Sequence, residues 1–248
     1  GRIKEGGLLI SKFGLKRTKD LKGTRHLTYS VQENNADVHA ENIKMMNGSY
    51  EFDVVIKEKR IENLRLNIGG MHNAENAVAA ITVASSLNID EEKIKAAVAD
   101  FKGVKRRFEY IIKTDELVFI DDYAHHPEEL RALINGAKSL FSDKKCTVIF
   151  QPHLYTRTRD LADGFAEVLD MADEVILLPI YPARELPIAG VSSEMVLEKM
   201  KSGNKRVLDK EELKDWIKKD FKKQGKVLVT AGAGDIDLLV EPIKEILK

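Results

Sequence analysis

Short apolar runs and longer helical patterns alternate along the second half of the chain. The apolar runs cover residues 117–121, 146–150, 174–178 and 226–230, with a weaker one at 206–208. The helical patterns that follow them cover residues 128–141, 159–172, 193–200, 211–221 and 237–247. Apolar runs without polar alternation are typical of strands buried on both faces. Strands that alternate with helices predict right-handed βαβ units and therefore an open, mostly parallel sheet.

Residues 1–70 instead carry short β-type runs that are separated by turn residues. The runs at 28–31 and 50–56 alternate only in part between apolar and polar side chains. Asn47-Gly48 precedes the second run, and this pair is a strong signal for a two-residue hairpin turn because both residues tolerate a positive φ. The pattern predicts a meander or the edge of a mixed sheet.

Two helices are predicted after these strands. The first is the alanine-rich stretch 74–87, with Asn73 as its N-cap, and its apolar second half predicts deep packing. Asp90 can cap the second helix, and Gly103 follows that helix as a natural stop.

The change between these two patterns falls in the segment 101–108. A chain of 248 residues is long enough for two modest domains. We therefore predict an α/β protein with a first domain over 1–104 and a second domain over 105–248.

Composition narrows the range of functions. Lys and Arg together number 40, and Asp and Glu also number 40, so the formal net charge is zero. A dedicated nucleic-acid or membrane-surface binder would need a basic excess for its phosphate contacts. The single cysteine excludes a disulfide framework and a cysteine-based zinc site, and no apolar run approaches the ~20 residues of a membrane span. We expect a cytoplasmic protein that acts on small molecules, without a nucleic-acid partner.

Polar and aromatic residues cluster directly after four of the predicted strands. These segments are 122–127, 151–159, 179–185 and 231–235. In an open α/β sheet, ligands bind in the crevice beyond the carboxyl ends of the strands. Because all four segments start at that edge, we predict a ligand site there.

Arg157 and Arg159 lie where a helix is predicted to begin, a position that disfavours cations. A guanidinium group at such a place can be held for an anion, since it binds carboxylates and phosphates bidentately. Arg157 is therefore a candidate clamp for a substrate carboxylate or phosphate. The alternative is a surface salt bridge from Arg157 to Asp160 or Asp163.

Three histidines and two aspartates belong to the same region. His125, His126 and His153 either contact a substrate, cap a helix or donate to a carbonyl. Asp121 and Asp122 are adjacent at a strand end, so they cannot both face the same way, and one of them can be structural. These five side chains could also ligate a metal in a hydrolase, although no His-x-x-x-His or similar helical spacing supports that alternative.

A further cluster precedes the first predicted helix. His72, Asn73 and Asn76 surround its start, and a side-chain amide can pair with the N6 and N7 edge of adenine. The alternative is a well-capped helix without a ligand. Arg106 and Arg107 lie in the segment between the two domains, where they either stay solvated or bind a phosphate.

These motifs resemble those of the Mur ligases of peptidoglycan synthesis. The resemblance rests on GMHNAENAVAA at 70–80, FKGVKRRFE at 101–109 and DDYAHHP at 121–127. QPH at 151–153 with YTRTR at 155–159 further resembles the members that add L-alanine. The resemblance implies a Rossmann-like C-terminal domain preceded by the C-terminal part of a central ATPase domain. The sequence has no Gly-x-x-x-x-Gly-Lys-Ser/Thr phosphate loop, so we expect a fragment that is inactive alone.

The resemblance also implies a reaction, its cofactors and its partners. Such ligases use ATP to convert the lactyl carboxylate of UDP-N-acetylmuramate into an acyl phosphate, which the amine of L-alanine then attacks. Mg²⁺ is the implied metal cofactor, with its ligands mainly outside this chain and no metal ligand assigned within it. UDP-N-acetylmuramate, L-alanine and ATP are the implied partners, and ATP would be contacted from both domains.

The resemblance assigns roles to residues that match the family motifs. The residues implied for adenine are His72, Asn73 and Asn76. Those implied for the ribose and the phosphates are Asp122 and either Arg106 or Arg107. Those implied for alanine are Tyr123, His125, His153 and Arg157, of which the last three are the candidate catalytic residues.

Two departures and two alternatives accompany this interpretation. Leu154 stands where many members have a second basic residue, so the alanine clamp would rest on fewer charges. Met71 replaces a frequent Arg of the adenine motif, so the nucleotide would be contacted differently there. The ligase that recycles murein tripeptide shares the Asp-Asp-aromatic-Ala-His-His-Pro run, but its nucleophile is a peptide. A pure interaction module without a ligand is the other alternative.

Overall fold

The computed structural model describes residues 6–16, 25–57 and 59–248. Contacts divide the chain into two compact units, with the boundary after Lys102. In the described part of the chain, no helix is long and apolar enough to cross a membrane.

Five strands form a mixed sheet in the first unit. They are β1 (Leu8–Lys12), β2 (Arg25–Ser30), β3 (Val38–Met46), β4 (Ser49–Ile56) and β5 (Lys59–Leu66). They lie side by side in this order, with β1, β2 and β3 parallel and with β4 antiparallel to both β3 and β5. Asn47 (φ 47°) and Gly48 (φ 73°) form the turn between β3 and β4, which confirms the predicted hairpin.

In the described part of the first unit, the α-helices are α1 (Met71–Ser86) and α2 (Glu91–Asp100). The prediction that Asn73 caps α1 is wrong: the cap is Gly70, whose φ of 86° turns the chain into the helix. Asn73 lies inside the first turn, and its amide donates back to the carbonyl of Gly69 at 2.7 Å. The prediction for Asp90 is confirmed, because its carboxylate accepts from two backbone N–H groups at the start of α2.

Deep packing of α1 is only partly confirmed. Ala74, Val78 and Ile81 are buried against the sheet, as the apolar pattern predicts. Val83 is 45% exposed and Leu87, which follows the helix, is 68% exposed. The helix is apolar on more than one side, so only one of its faces can lie on the sheet.

The second unit contains a six-stranded sheet. Its strands are β6 (Glu109–Lys113), β7 (Leu117–Asp122), β8 (Lys145–Phe150), β9 (Glu174–Leu177), β10 (Lys205–Val207) and β11 (Lys226–Ala231). Their order is β10-β9-β8-β11-β7-β6, and all neighbours are parallel except β6, which is antiparallel to β7. The predicted α/β class with a mostly parallel sheet is confirmed. The edge strand β6 lay outside the sequence prediction because it is half-exposed and carries no long apolar run.

Helices accompany these strands. They are α3 (Pro127–Leu140), α4 (Tyr155–Leu169), α5 (Ser193–Lys199), α6 (Lys210–Lys219) and α7 (Val240–Leu247), with a 3-10 turn at Asp235–Leu239. The start of α4 lies four residues before the predicted 159, so Arg157 belongs to its first turn. At the amino end of α4, a residue distant in sequence accepts hydrogen bonds from the first turn. A local sequence pattern cannot reveal such a contact.

The central strands bury both faces. Phe119, Ile149, Ile176 and Leu228 are fully buried in one apolar cluster with side chains of α6 and α7. Each side chain of this size contributes roughly 1.5–3 kcal/mol when it leaves water. Because the strands are locked in register, Asp122 pairs with Ala231, Ala231 pairs with Phe150, and Phe150 pairs with Leu177. The carboxyl ends of β7, β11, β8 and β9 are therefore level, and the segments that follow them start at one edge.

Candidate functional site

The segments after β7, β8 and β9 bring four predicted site residues together at this edge. They are Tyr123, His125, His153 and Arg157, and Tyr181 joins them. The prediction of a shared edge is thereby borne out in the geometry. The role of each residue stays a prediction.

Tyr123 and His125 form one side of this cluster. Their rings meet edge to face, with 5.3 Å between centroids. The side chain of His125 is 25% exposed, and its Nδ1 lies 3.0 Å from the carbonyl oxygen of Tyr123 and 3.3 Å from Oε2 of Glu129. Tyr123 is 41% exposed and lies over the guanidinium of Arg106 at 4.9 Å. Arg106 and His125 therefore contact the ring of Tyr123, part of which stays exposed to solvent.

His153 forms the other side. Its ring stacks on Tyr181 with 5.7 Å between centroids and 20° between planes. The ring of His125 lies 6.4 Å away at 70°. Partial burial, helped by the charge of Arg157 and the nearby His125, lowers the pKa of His153 below its usual 6.5, while Glu185 acts weakly in the opposite direction. The lowered pKa favours the neutral form of the His153 ring.

Arg157 contacts His153 rather than a surface acid. Its Nη1 lies 3.2 Å from Nδ1 of His153. Asp160 pairs with Arg159, and Asp163 pairs with Lys199, so the salt bridge weighed for Arg157 is not formed with either. The half-buried guanidinium keeps further donors for an anion.

Glu185 explains how the amino end of α4 is stabilised. Its two carboxylate oxygens accept from the backbone N–H of Thr156 at 2.9 Å and from the hydroxyl of Thr156 at 2.5 Å. These bonds lower the pKa of Glu185. The carboxylate complements the positive end of the helix dipole, so Arg157 can occupy the first turn.

Asp121 and Asp122 face different ways, as their adjacency predicts. Asp121 is buried, accepts from the hydroxyl of Thr230 at 2.6 Å and lies 3.4 Å from Nε of Arg106. Asp122 accepts from the backbone N–H of Phe108 at 2.7 Å and of Ala124 at 2.8 Å. Burial raises the pKa of both carboxyl groups. Both aspartates shape the loops here, and a ribose hydroxyl would have to share the oxygens of Asp122.

The two candidate phosphate ligands differ in their surroundings. The guanidinium of Arg106 donates to the carbonyl of Gly232 at 2.5 Å and lies 3.5 Å from Asp237, in addition to its contacts with Asp121 and Tyr123. Arg107 is exposed and forms no ion pair with the described residues. Arg106 thus has a structural role within the site, and Arg107 is the more available cation.

Tyr181, Gln151 and Gly234 lie in the segments predicted at this edge, but sequence reasoning assigned none of them a role in a ligand site. Gln151 bridges its neighbours, donating to Asp235 at 2.9 Å and accepting from the N–H of Ile236 at 2.9 Å. A Cβ on Gly234 would lie 2.5 Å from Oε1 of Gln151 and 2.6 Å from Cβ of Tyr181. The glycine turn after β11 therefore permits close packing.

The first unit carries the other predicted residues. Asn73 and Asn76 lie at one end of a largely apolar groove of about 380 Å³ between α1 and α2, with Phe101 at its margin. His72 is exposed beside them. The Cβ of any residue at Gly70 would meet the His72 ring at 2.7 Å. An apolar cleft with two amides suits a flat base, which could stack on the walls and pair at its edge.

The metal-dependent hydrolase gains no support from the geometry. Within the described ranges, no group of three or more His, Cys, Asp or Glu side chains is arranged to hold a metal ion. Asp121 and Asp122 are occupied by the contacts above, and His126 is exposed at the start of α3 without a side-chain capping bond.

Comparison with known proteins agrees with the fold. The model described as "Mur ligase, glutamate ligase domain" matches residues 106–234, about half of the chain, and the model described as "Mur ligase middle domain" matches residues 10–84. The chain belongs to the Mur ligase family.

Individual relatives refine this assignment. A UDP-N-acetylmuramate–L-alanine ligase of Parabacteroides distasonis is 47% identical over 99% of the chain and 52% of its own length. The solved UDP-N-acetylmuramate-alanine ligase of Thermotoga maritima, 28% identical, has a TM-score of 0.77 over 96% of the chain and 51% of its own. A murein peptide ligase from Psychrobacter arcticus, 23% identical over 97% of this chain and 51% of its own, shares the fold with a TM-score of 0.57. This Mur ligase chain spans about half the length of the curated relatives it matches.

Proposed function

We propose that the protein carrying this chain is an ATP-dependent ligase that joins L-alanine to UDP-N-acetylmuramate in the cytoplasm. The observation that carries the proposal is the 47% identity, over 99% of the chain, to a ligase of that name. The cluster of Arg157, His153, His125 and Tyr123 supports it, because it combines one anion-binding group with neutral and aromatic side chains. We further propose that the domains are those predicted, 1–104 and 105–248.

Arg157 is the proposed ligand of the alanine carboxylate. A guanidinium presents paired donors that match a carboxylate, and Arg157 spends one of its nitrogens on His153. Tyr123 and His125 would line the same space, where a short side chain fits and a longer one meets their rings.

ATP is the proposed cofactor, together with Mg²⁺. The apolar groove of the first unit, with the amides of Asn73 and Asn76 at one end, fits a purine base. His72 is the further residue proposed for the base. Of the two arginines proposed for the phosphates, Arg106 is engaged by the carbonyl of Gly232 and Arg107 is exposed. ATP supplies the phosphoryl group that activates the carboxylate.

A kinetic experiment tests the alanine site. In the complete protein, Arg157→Met should raise the KM for L-alanine about 10- to 100-fold, since a charged hydrogen bond contributes ~1.5–3 kcal/mol. The KM for ATP should change little. Arg159→Met is the matched control, because Arg159 lies on the same helix and pairs with Asp160. An unchanged KM for alanine would remove Arg157 from the site.

The same assay separates the two ligase candidates. Phosphate release should require L-alanine and UDP-N-acetylmuramate together. If murein tripeptide replaced alanine as the preferred nucleophile, the recycling ligase would be the better assignment. The chain of 248 residues alone should show no ATP-dependent ligation of alanine.

A further inference from the structure

The contacts of His125 fix the position of its proton. Nδ1 lies between the carbonyl oxygen of Tyr123, at 3.0 Å, and Oε2 of Glu129, at 3.3 Å. A carbonyl and a carboxylate only accept hydrogen bonds, so Nδ1 must carry a hydrogen. In the neutral form of this ring, the lone pair is therefore on Nε2.

His153 has the opposite arrangement. Its Nδ1 lies 3.2 Å from Nη1 of Arg157, and a guanidinium only donates. Nδ1 must therefore present its lone pair, which leaves the hydrogen on Nε2. A second proton on this ring would place two hydrogen-bond donors and two positive charges, those of His153 and Arg157, next to each other.

We propose that the site holds its two histidines as opposite neutral tautomers, with His125 as the proton acceptor and His153 as the hydrogen-bond donor, and that Tyr181 positions His153. The chemical meaning of this division rests on the proposed function. The charged groups that face His153 are Arg157 from α4, Glu185 from the loop after β9 and the titratable His125 from the loop after β7.

In the proposed reaction the two tautomers serve different atoms. The amine nitrogen of alanine attacks the carbonyl carbon of the acyl phosphate, and a C–N bond forms. The amine proton passes to Nε2 of His125, while Nε2–H of His153 donates to the developing oxyanion. The C–O bond to the phosphate then breaks, and phosphate leaves with the electron pair.

Tyr181 holds the ring of His153 through both backbone and side chain. The segments after β8 and β9 continue side by side: Tyr181 N–H donates to Pro152 at 2.8 Å, and Leu154 N–H donates to Tyr181 at 2.9 Å. This parallel bridge places His153 and Tyr181 next to each other, so their rings stack. Gly234 lies against Cβ and Cγ of Tyr181, where no larger residue fits.

Nitrogen-15 NMR of histidine-labelled chain tests the tautomers without substrate. At pH 7.5 the ring signals of His125 should show a protonated Nδ1, and those of His153 a protonated Nε2. His125→Gln and His153→Gln assign the signals among the six histidines of the chain. The same tautomer at both residues, or the reverse assignment, would overturn the proposal.

Variants then test what sets the tautomer of His153. Arg157→Met should convert its signals to a mixture of tautomers and move its titration midpoint upward towards 6.5, whereas the control Arg159→Met should leave both unchanged.

Tyr181→Leu should broaden the His153 signals and mix its tautomers, and Tyr181→Phe, which keeps the ring, should restore the native pattern. A Tyr181→Leu spectrum identical to the native one would remove Tyr181 as a positioning residue. Since no substrate is present, these measurements can fail while the ligase assay succeeds, and the reverse.

Discussion

The turn after β11 provides a sharp test of the packing at the site. Gly234→Ala adds one methyl group that would lie 2.5 Å from Oε1 of Gln151 and 2.6–2.7 Å from Cβ and Cγ of Tyr181. These distances are too short for any Cβ contact, so Gln151 or Tyr181 must move. Overpacking costs ~1–3 kcal/mol, and each hydrogen bond of Gln151 that breaks costs ~0.5–1.5 kcal/mol more. We expect the free energy of unfolding to fall by about 2–4 kcal/mol.

Urea unfolding followed by tryptophan fluorescence measures this change in the second unit. Trp216 is the single tryptophan of the chain and is 8% exposed within that unit. With a slope of ~1–3 kcal/mol per molar urea, the midpoint should drop by about 0.7–4 M. Gly203→Ala is the matched control, since nothing lies within 4 Å of its added Cβ. Equal midpoints for the two variants would refute the argument that Gly234 is required for close packing.

Three further predictions concern single residues. Burial raises the pKa of the Cys146 thiol to about 12, so a thiol reagent at pH 8 should label the chain only after denaturant is added; rapid labelling of the folded chain would contradict this. The pKa of His153 is lowered from 6.5 in the folded state, so the unfolded state binds more protons as the pH falls through 6.5. The free energy of unfolding of the native protein should therefore fall more than that of His153→Gln between pH 7.5 and 5.5, and parallel losses in urea melts would argue against this. Asp90→Ala removes the cap of α2 and should lower the free energy of unfolding by ~1 kcal/mol, measured by circular dichroism; the control is Asp100→Ala, at an exposed position of the same helix that is not its N-cap.

Apolar pattern was sufficient to predict the central strands of the second unit. Val118, Ile149 and Val229 lie in runs that are buried on both faces, so each run carries its own signal. The edge strand β6 is half-exposed and carries no such apolar signal. The start of α4 was placed too late because its stabilising carboxylate, Glu185, lies 29 residues from Thr156 and no local motif announces it.

The candidate site could be located from the sequence but its contacts could not. The carboxyl ends of parallel strands share one edge, so the region of His125, His153 and Arg157 followed from strand order alone. That Arg157 would contact His153 instead of Asp160 depends on side-chain directions in three dimensions. The close approach of Tyr181 to Gly234 joins two segments that are distant in sequence, which spacing cannot reveal.

The carboxylate of Glu185 at the start of α4 bears on how an anion is chosen. Many proteins bind phosphate with the free N–H groups at a helix start, but here an internal acid already occupies that place at Thr156. Under the proposed function, the incoming acid is recognised by the guanidinium of Arg157, a side chain, and not by backbone common to every helix. Selectivity for the acid group then depends on one side chain and not on the fold. A single substitution at Arg157 can alter this selectivity while α4 stays intact.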